Sequence, residues 1–174
     1  IPGLKQNGSG IGDLAIGGRF EIFHEFQPKK EGKKLKLDKT LPYLAITFGL
    51  TLPTGRSEEN AENDVDITGK GFYSTTLGIS VTKTIIRSKL QILGDFSWQH
   101  SFEKKYSSYF GEPITYDYRK QAGEKFNYSL TANYIFNSFH SISLTASGFL
   151  QNNYKLNNSE IDNSNERSSA LVLA

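Results

Sequence analysis

Leu44-Ala45-Ile46-Thr47-Phe48-Gly49-Leu50-Thr51-Leu52 alternates a bulky apolar residue with a small or hydroxylated one at every step. A β-strand, whose successive side chains point to opposite faces, sorts such a stretch into two chemically distinct sides. A helix would scatter the bulky residues around its circumference, and the Thr and Gly content penalises it further. The pattern recurs along the chain. Leu14, Ile16, Phe20 and Ile22 oppose Ala15, Gly17, Arg19 and Glu21, and Tyr73, Leu77, Ile79 and Val81 oppose Ser74, Thr76, Gly78, Ser80 and Thr82. Leu90, Ile92, Phe96, Trp98 and Phe102 oppose Lys89, Gln91, Asp95, Gln99 and Ser101. Phe126, Tyr128, Leu130, Ala132, Tyr134 and Phe136 oppose Lys125, Asn127, Ser129, Thr131 and Asn133. Ile142, Leu144, Ala146 and Leu150 oppose Ser141, Ser143, Thr145, Ser147 and Gln151, and a seventh run starts near Ser169 and stops in mid-pattern at Ala174.

Each full run is about 10–14 residues, near the length a tilted strand needs to cross a bilayer and longer than the usual soluble strand of about 5–6. The connections alternate as well. Short links fall at Thr84–Ser88 and Asn137–Phe139, whereas Thr54–Lys70, Glu103–Gly123 and Asn152–Ser168 are long polar loops. Short turns on one rim and long loops on the other are the habit of outer-membrane barrels. Gln27–Thr40 breaks the alternation: it is long, lysine-rich, and keeps the two-residue period at Leu35 and Leu37, as a strand extension would.

Composition narrows the classes. The 174 residues include no Cys and no Met, the formal charge is +2, and mean hydropathy is −0.45. Without Cys there is no disulfide framework and no thiolate chemistry. The apolar runs are too short for a spanning helix. The small net charge gives nucleic acid no bulk attraction. A chain beginning at Ile1 without Met reads as a mature product or an excerpt, with further strands expected beyond it, because six full runs and part of a seventh fall short of the smallest barrels of about eight strands. The whole of 1–174 reads as one domain.

The alternation by itself fits two opposite arrangements. In a soluble sandwich or lipocalin-like barrel the apolar face points inward; in a membrane barrel it faces lipid and the polar face lines the lumen. Three features favour the second. The polar faces consist largely of Ser, Thr, Gly, Asn and Gln, where a solvent-facing sheet carries more Lys and Glu. Aromatic residues gather at run ends on the apolar side (Tyr73, Trp98, Phe102, Phe126 and Tyr128 towards one end, Tyr134 and Phe136 beside a short turn), as an interfacial belt requires. The run lengths are also uniform.

Charges on the polar face, Arg19, Glu21, Lys89, Asp95 and Lys125, are the lumen or pore-lining candidates; they either line a pore or form an ion-pair network that plugs it. His24, His100 and His140 share parity with the apolar face near run ends and suit the belt better than catalysis. His100 and Ser101 point to opposite faces, and neither a Gly-x-Ser-x-Gly nor a His-Glu-x-x-His element is present. No enzyme, metal or cofactor is expected. Glu58, Glu59, Glu62, Asp64 and Asp66 crowd one loop without a calcium-loop spacing and read as a solvated loop.

Gly10-Ile11-Gly12-Asp13-Leu14-Ala15-Ile16-Gly17-Gly18-Arg19-Phe20, then Leu50-Thr51-Leu52-Pro53-Thr54-Gly55-Arg56, Gly69-Lys70-Gly71 and Leu77-Gly78-Ile79, resemble the outer-membrane proteins grouped with the phenol-degradation meta-pathway, a porin-like transporter family. The likeness covers Gly10 to Phe102. It implies an outer-membrane barrel passing small solutes, hydrophobic or aromatic ones among them. Independently of it, Pro53 and Gly55 read as a strand terminator followed by a turn.

The sequence thus leads to an all-β, antiparallel transmembrane meander barrel of the bacterial outer membrane, acting as a porin-like channel. Its expected partners are membrane lipid and lipopolysaccharide, a small solute and the barrel-assembly machinery. Two alternatives stand beside it: a non-conducting surface barrel whose long loops bind external partners, and a soluble β-sandwich or lipocalin-like binding module.

Overall fold

The structure is a computed structural model that describes residues 10–24, 26–28, 35–37, 41–61, 66–85, 89–109, 112–137 and 139–173. Thirteen strands form among them: β1 (Leu14–Phe23), β2 (Phe26–Pro28), β3 (Leu35–Leu37), β4 (Tyr43–Leu52), β5 (Ser74–Ile85), β6 (Leu90–Ser101), β7 (Lys104–Tyr109), β8 (Glu112–Gln121), β9 (Lys125–Ile135), β10 (Ser141–Gln151), β11 (Lys155–Leu156), β12 (Ser159–Glu160) and β13 (Glu166–Leu173).

Seven of these make one antiparallel sheet in the order β1-β4-β5-β6-β9-β10-β13. Each strand of this sheet therefore lies beside the strand of the same sheet that follows it in sequence, as a meander requires. The register keeps the faces in phase: Phe48 pairs with Leu77, Leu77 with Trp98, Trp98 with Phe126 and Phe126 with Leu150. On the other face Thr47 pairs with Gly78, Gly78 with Ser97, and Ser97 with Asn127. A slip of one residue would exchange the faces, so the register is fixed wherever they differ in environment.

That environment is inverted relative to a soluble sheet. The apolar face is bare, with Phe48 57%, Leu77 52% and Leu130 57% exposed. The buried positions of the sheet sit on the polar face: Ala45, Ser74, Ser80, Thr84, Ser101 and Gln151. Polar side chains there satisfy one another across the strands. Asp95 accepts from Ser80 on one side and from Ser129 at 3.2 Å on the other, and Asn127 donates to Ser97 at 3.2 Å. The hydroxyls of Thr131 and Thr145 lie 2.9 Å apart. All four contacts join residues directly opposite each other in the register, the closest side-chain neighbours a sheet offers.

The sheet is open, as expected of too few strands to close: β1 and β13 form its edges, and no closed barrel forms among the described residues. Other expectations need correction. The seventh run begins earlier than its apolar pattern suggested, at Glu166, because Glu166 and Arg167 pair with Gln151 and Leu150. The stretches 103–123 and 152–168 are not plain loops. They supply a second sheet of order β12-β11-β8-β7, in which Lys155 pairs with Gln121 and Leu156 with Lys120. Its charged residues, such as Lys105 and Asp117, meet water on one side, so mean polarity hid the strands. Near the 27–40 segment, Phe26–Pro28 pairs with Leu35–Leu37 as a two-stranded sheet, β2 with β3, so Leu35 and Leu37 do lie in a strand.

Candidate functional site

The second sheet is built from the connections between β6 and β9 and between β10 and β13, and its Lys120 and Lys104 reach Glu58 and Glu59 after β4, at the rim where β4 leads to β5. Phe72, Tyr106 and Ala122 form a buried cluster, with Tyr118 and Tyr154 packed against it. The rings of Tyr106 and Tyr118 stack with centroids 5.2 Å apart. Gly71 sits at φ 75°, and a Cβ there would stand 2.6 Å from Ser57 Cβ, so only glycine lets the chain turn beneath Tyr106.

Burial, reinforced by the carboxylates of Glu58 and Glu59 and by Tyr118 and Tyr154, pushes the Tyr106 phenol well above the ordinary tyrosine range. Raising the folded-state pKa of an acid makes its contribution complete at pH values below the unfolded pKa, about 10, and erodes it as pH climbs towards the folded value. The second sheet is therefore expected to loosen above about pH 10. Near-ultraviolet circular dichroism between pH 8 and 11.5 should show the transition in the wild type and a blunted one in Tyr106→Phe; identical profiles would refute the assignment.

Beside this cluster three strand ends are fastened together. Asp13, just before β1, accepts from Gly55 N at 3.1 Å through one oxygen and from Lys70 N at 2.8 Å through the other. Thr54 Oγ1 accepts from Leu14 N at 2.9 Å and donates to Gly12 O at 3.1 Å. Thr68 Oγ1 accepts from Arg56 N at 3.0 Å and donates to Ile11 O at 2.9 Å. Gly55 and Gly69 face each other so closely that a Cβ on Gly55 would stand 2.7 Å from Gly69 Cα. The Gly-Asp, Pro-Thr-Gly and Gly-Lys-Gly elements are thus parts of one polar clasp. Pro53 and Gly55 do end the strand, as read from the sequence; the role of Asp13 was missed. Its signal was the pairing of a lone carboxylate with two distant glycine-rich turns.

Between the clasp and the second sheet lies a cavity of about 660 Å3, lined in part by Asp13, Glu58, Lys70, Phe72, Lys120 and Tyr154. Glu58 receives Lys120 Nζ at 2.9 Å on both oxygens, and Glu59 pairs with Lys104 at 3.0 Å. The acidic loop is therefore partly neutralised by the second sheet; Glu62 and Asp64 lie outside the described residues.

Two of the five polar-face charges share a place and the other three lie apart. Arg19 and Asp95 border one cavity of about 350 Å3 with Thr47, Ser97 and Asn127, and the Arg19 guanidinium lies 5.1 Å from the centre of the Tyr43 ring. Glu21 stands near the opposite rim, 3.8 Å from His24. Lys89 is exposed at the turn before β6. Lys125 opens β9, its ammonium 4.0 Å from the centre of the Phe149 ring. No ion pair joins any two of these five.

Aromatic residues of the bare face gather at both rims. At the rim bearing the second sheet, His100 lies between Trp98 and Phe102, with ring centroids 6.0 and 5.1 Å away. Phe102 N also donates to Tyr73 O at 2.8 Å, and Phe126 is paired with Trp98. His100 Nδ1 additionally meets Glu124 Oε1 at 2.6 Å. Tyr128 sits a step further in, its phenol over Gly148. At the other rim Tyr134 and Phe136 meet edge to face at 5.0 Å, and His140 Nδ1 meets Asn137 Oδ1 at 3.0 Å. From the level of Trp98 to that of Leu90, which pairs with Tyr134, the chain advances about 26 Å at ~3.3 Å per residue.

None of the curated proteins matches this chain significantly. A family match does emerge, and it extends past the clasp into the strands that carry the second sheet: over residues 1–172 the sequence fits the family described as "Putative MetA-pathway of phenol degradation", and the chain belongs to that family.

Proposed function

We propose that the main sheet is the wall of a transmembrane β-barrel in the bacterial outer membrane, and that this barrel is a porin-like channel for small solutes. The observation that carries the reading is the inverted burial: apolar residues bare on one face, hydroxyl and amide groups sheltered on the other. In water such a face would be a contiguous hydrophobic surface far larger than soluble monomers expose; in lipid it is the solvated side. The aromatic rows support the same placement, because about 26 Å along a strand tilted by ~40° gives roughly 20 Å of height, close to the apolar band of outer-membrane barrels.

Closure of the barrel would satisfy the edges of β1 and β13. The polar face favours passage over a plug. Its five charges form no ion pair with one another among the described residues, and its hydroxyls and amides are bonded laterally, strand to strand. The family description supports small aromatic or hydrophobic solutes. In this reading the protein is not an enzyme and binds no nucleic acid; outer-membrane lipid, lipopolysaccharide and the barrel-assembly machinery are its partners.

Reconstitution tests the proposal. Planar bilayers should show discrete conductance steps, and loaded liposomes should admit small solutes. Folded, membrane-inserted protein that does neither would sink the channel. A non-conducting surface barrel draws support from the second sheet, where Tyr116 on β8 is 85% exposed, as a partner-binding platform would be. Partition into water without detergent would instead favour a soluble binding module.

A further inference from the structure

We propose that the cavity between the clasp and the second sheet is a recognition site for small organic anions that carry one carboxylate on an apolar body about the size of a single ring. The inference deepens the channel reading, since it places a selective vestibule at the mouth of the pore, but the binding itself is measurable without transport.

The cavity, about 660 Å3, falls within the range of ~300–1,000 Å3 typical of small-ligand sites. Its walls are of two kinds. Ile67, Phe72, Tyr154 and Ile161 supply an apolar and aromatic lining. The polar members are nearly all occupied by the protein itself. Both oxygens of Asp13 are held by backbone N–H groups, Thr68 is spent on the clasp, and Ser164 accepts from Tyr154 N at 2.8 Å while donating to Ile161 O at 2.6 Å. Glu58 and Lys120 neutralise each other.

Lys70 is different. Its backbone N–H belongs to the clasp, but its ammonium has no carboxylate within ion-pair distance among the described residues, and it is exposed. Lys125 lies within electrostatic reach of it and adds positive potential, partly balanced by Glu166. An unpaired cation on a residue that lines an aromatic-walled cavity, with the neighbouring acids already satisfied, favours an anion with an apolar body over a neutral or cationic analogue.

The test uses detergent-folded full chain and calorimetric titration with three probes: benzoate, benzyl alcohol and acetate. Benzoate should bind saturably at one site, with affinity falling as salt rises. Benzyl alcohol, which lacks the charge, and acetate, which lacks the body, should each bind at least about tenfold more weakly. Lys70→Gln should weaken benzoate about tenfold and leave benzyl alcohol unchanged, whereas Lys70→Glu should reverse the preference towards benzylammonium. Lys105→Gln, which breaks the outlying pair with Asp117, should change nothing. Equal benzoate affinity in wild type and Lys70→Gln, or no saturable benzoate binding at all, overturns the proposal. Conductance is scored separately: a protein that conducts but does not bind benzoate loses only the vestibule, and one that binds but does not conduct keeps the site and loses the channel.

Discussion

Leu130→Arg is expected to destabilise the bilayer-folded protein by about 2–4 kcal/mol. Leu130 lies in the middle of β9, between Gly94 and Ala146 in the register, and is 57% exposed. Its low burial makes the prediction discriminating. For a soluble protein, a charge at so exposed a position changes stability by no more than about 0.5 kcal/mol. For a membrane wall, the guanidinium must sit near the centre of the hydrocarbon or drag water and headgroups towards it. Denaturant titration of the refolded protein in lipid vesicles measures the difference, with Leu130→Ala as the control for lost apolar area. A Leu130→Arg variant as stable as Leu130→Ala would remove the membrane assignment of this face.

Asp13→Ala should cost about 3 kcal/mol, because it removes the acceptor of two charge-assisted bonds and leaves Gly55 N and Lys70 N without their partner. Asp13→Asn should cost less: one carbonyl oxygen can still accept, while the amide –NH2 turns a donor towards a donor. The two variants should therefore rank Ala, then Asn, then wild type in resistance to urea, and proteolysis should open the segment around 53–71 in the same order. Both variants as stable as wild type would mean that the clasp is incidental to the fold.

The strands were legible because their two faces differ in residue size and polarity at almost every step. Leu44 through Leu52 carries enough information to place itself, and the register across five neighbours then follows from keeping Phe48, Leu77, Trp98, Phe126 and Leu150 on one side. The second sheet was not legible for the converse reason. In β7 and β8, Lys104, Lys105, Asp117 and Arg119 stand among tyrosines, and what marks them as strands is the burial of Tyr106 and its stacking on Tyr118, contacts between chain segments that no local period encodes. The clasp was half legible. Pro53 and Gly55 announce a turn by their own backbone preferences, but the carboxylate that holds that turn lies 42 positions away. Parity identified the polar-face charges. Their separation depends on depth along the barrel wall and on the reach of each side chain, for which sequence has no coordinate.

The clasp also bears on how the protein assembles. Its bonds close loops of 42 and 57 residues, so Asp13 can be satisfied only after the chain has delivered β4 and the approach to β5. Loop closure of that span costs entropy before it returns any enthalpy. Once made, the bonds join β1, β4 and β5 so that none can peel away without breaking contacts to the other two. Insertion and extraction should therefore handle β1, β4 and β5 as one unit, which settles together and is pulled free together.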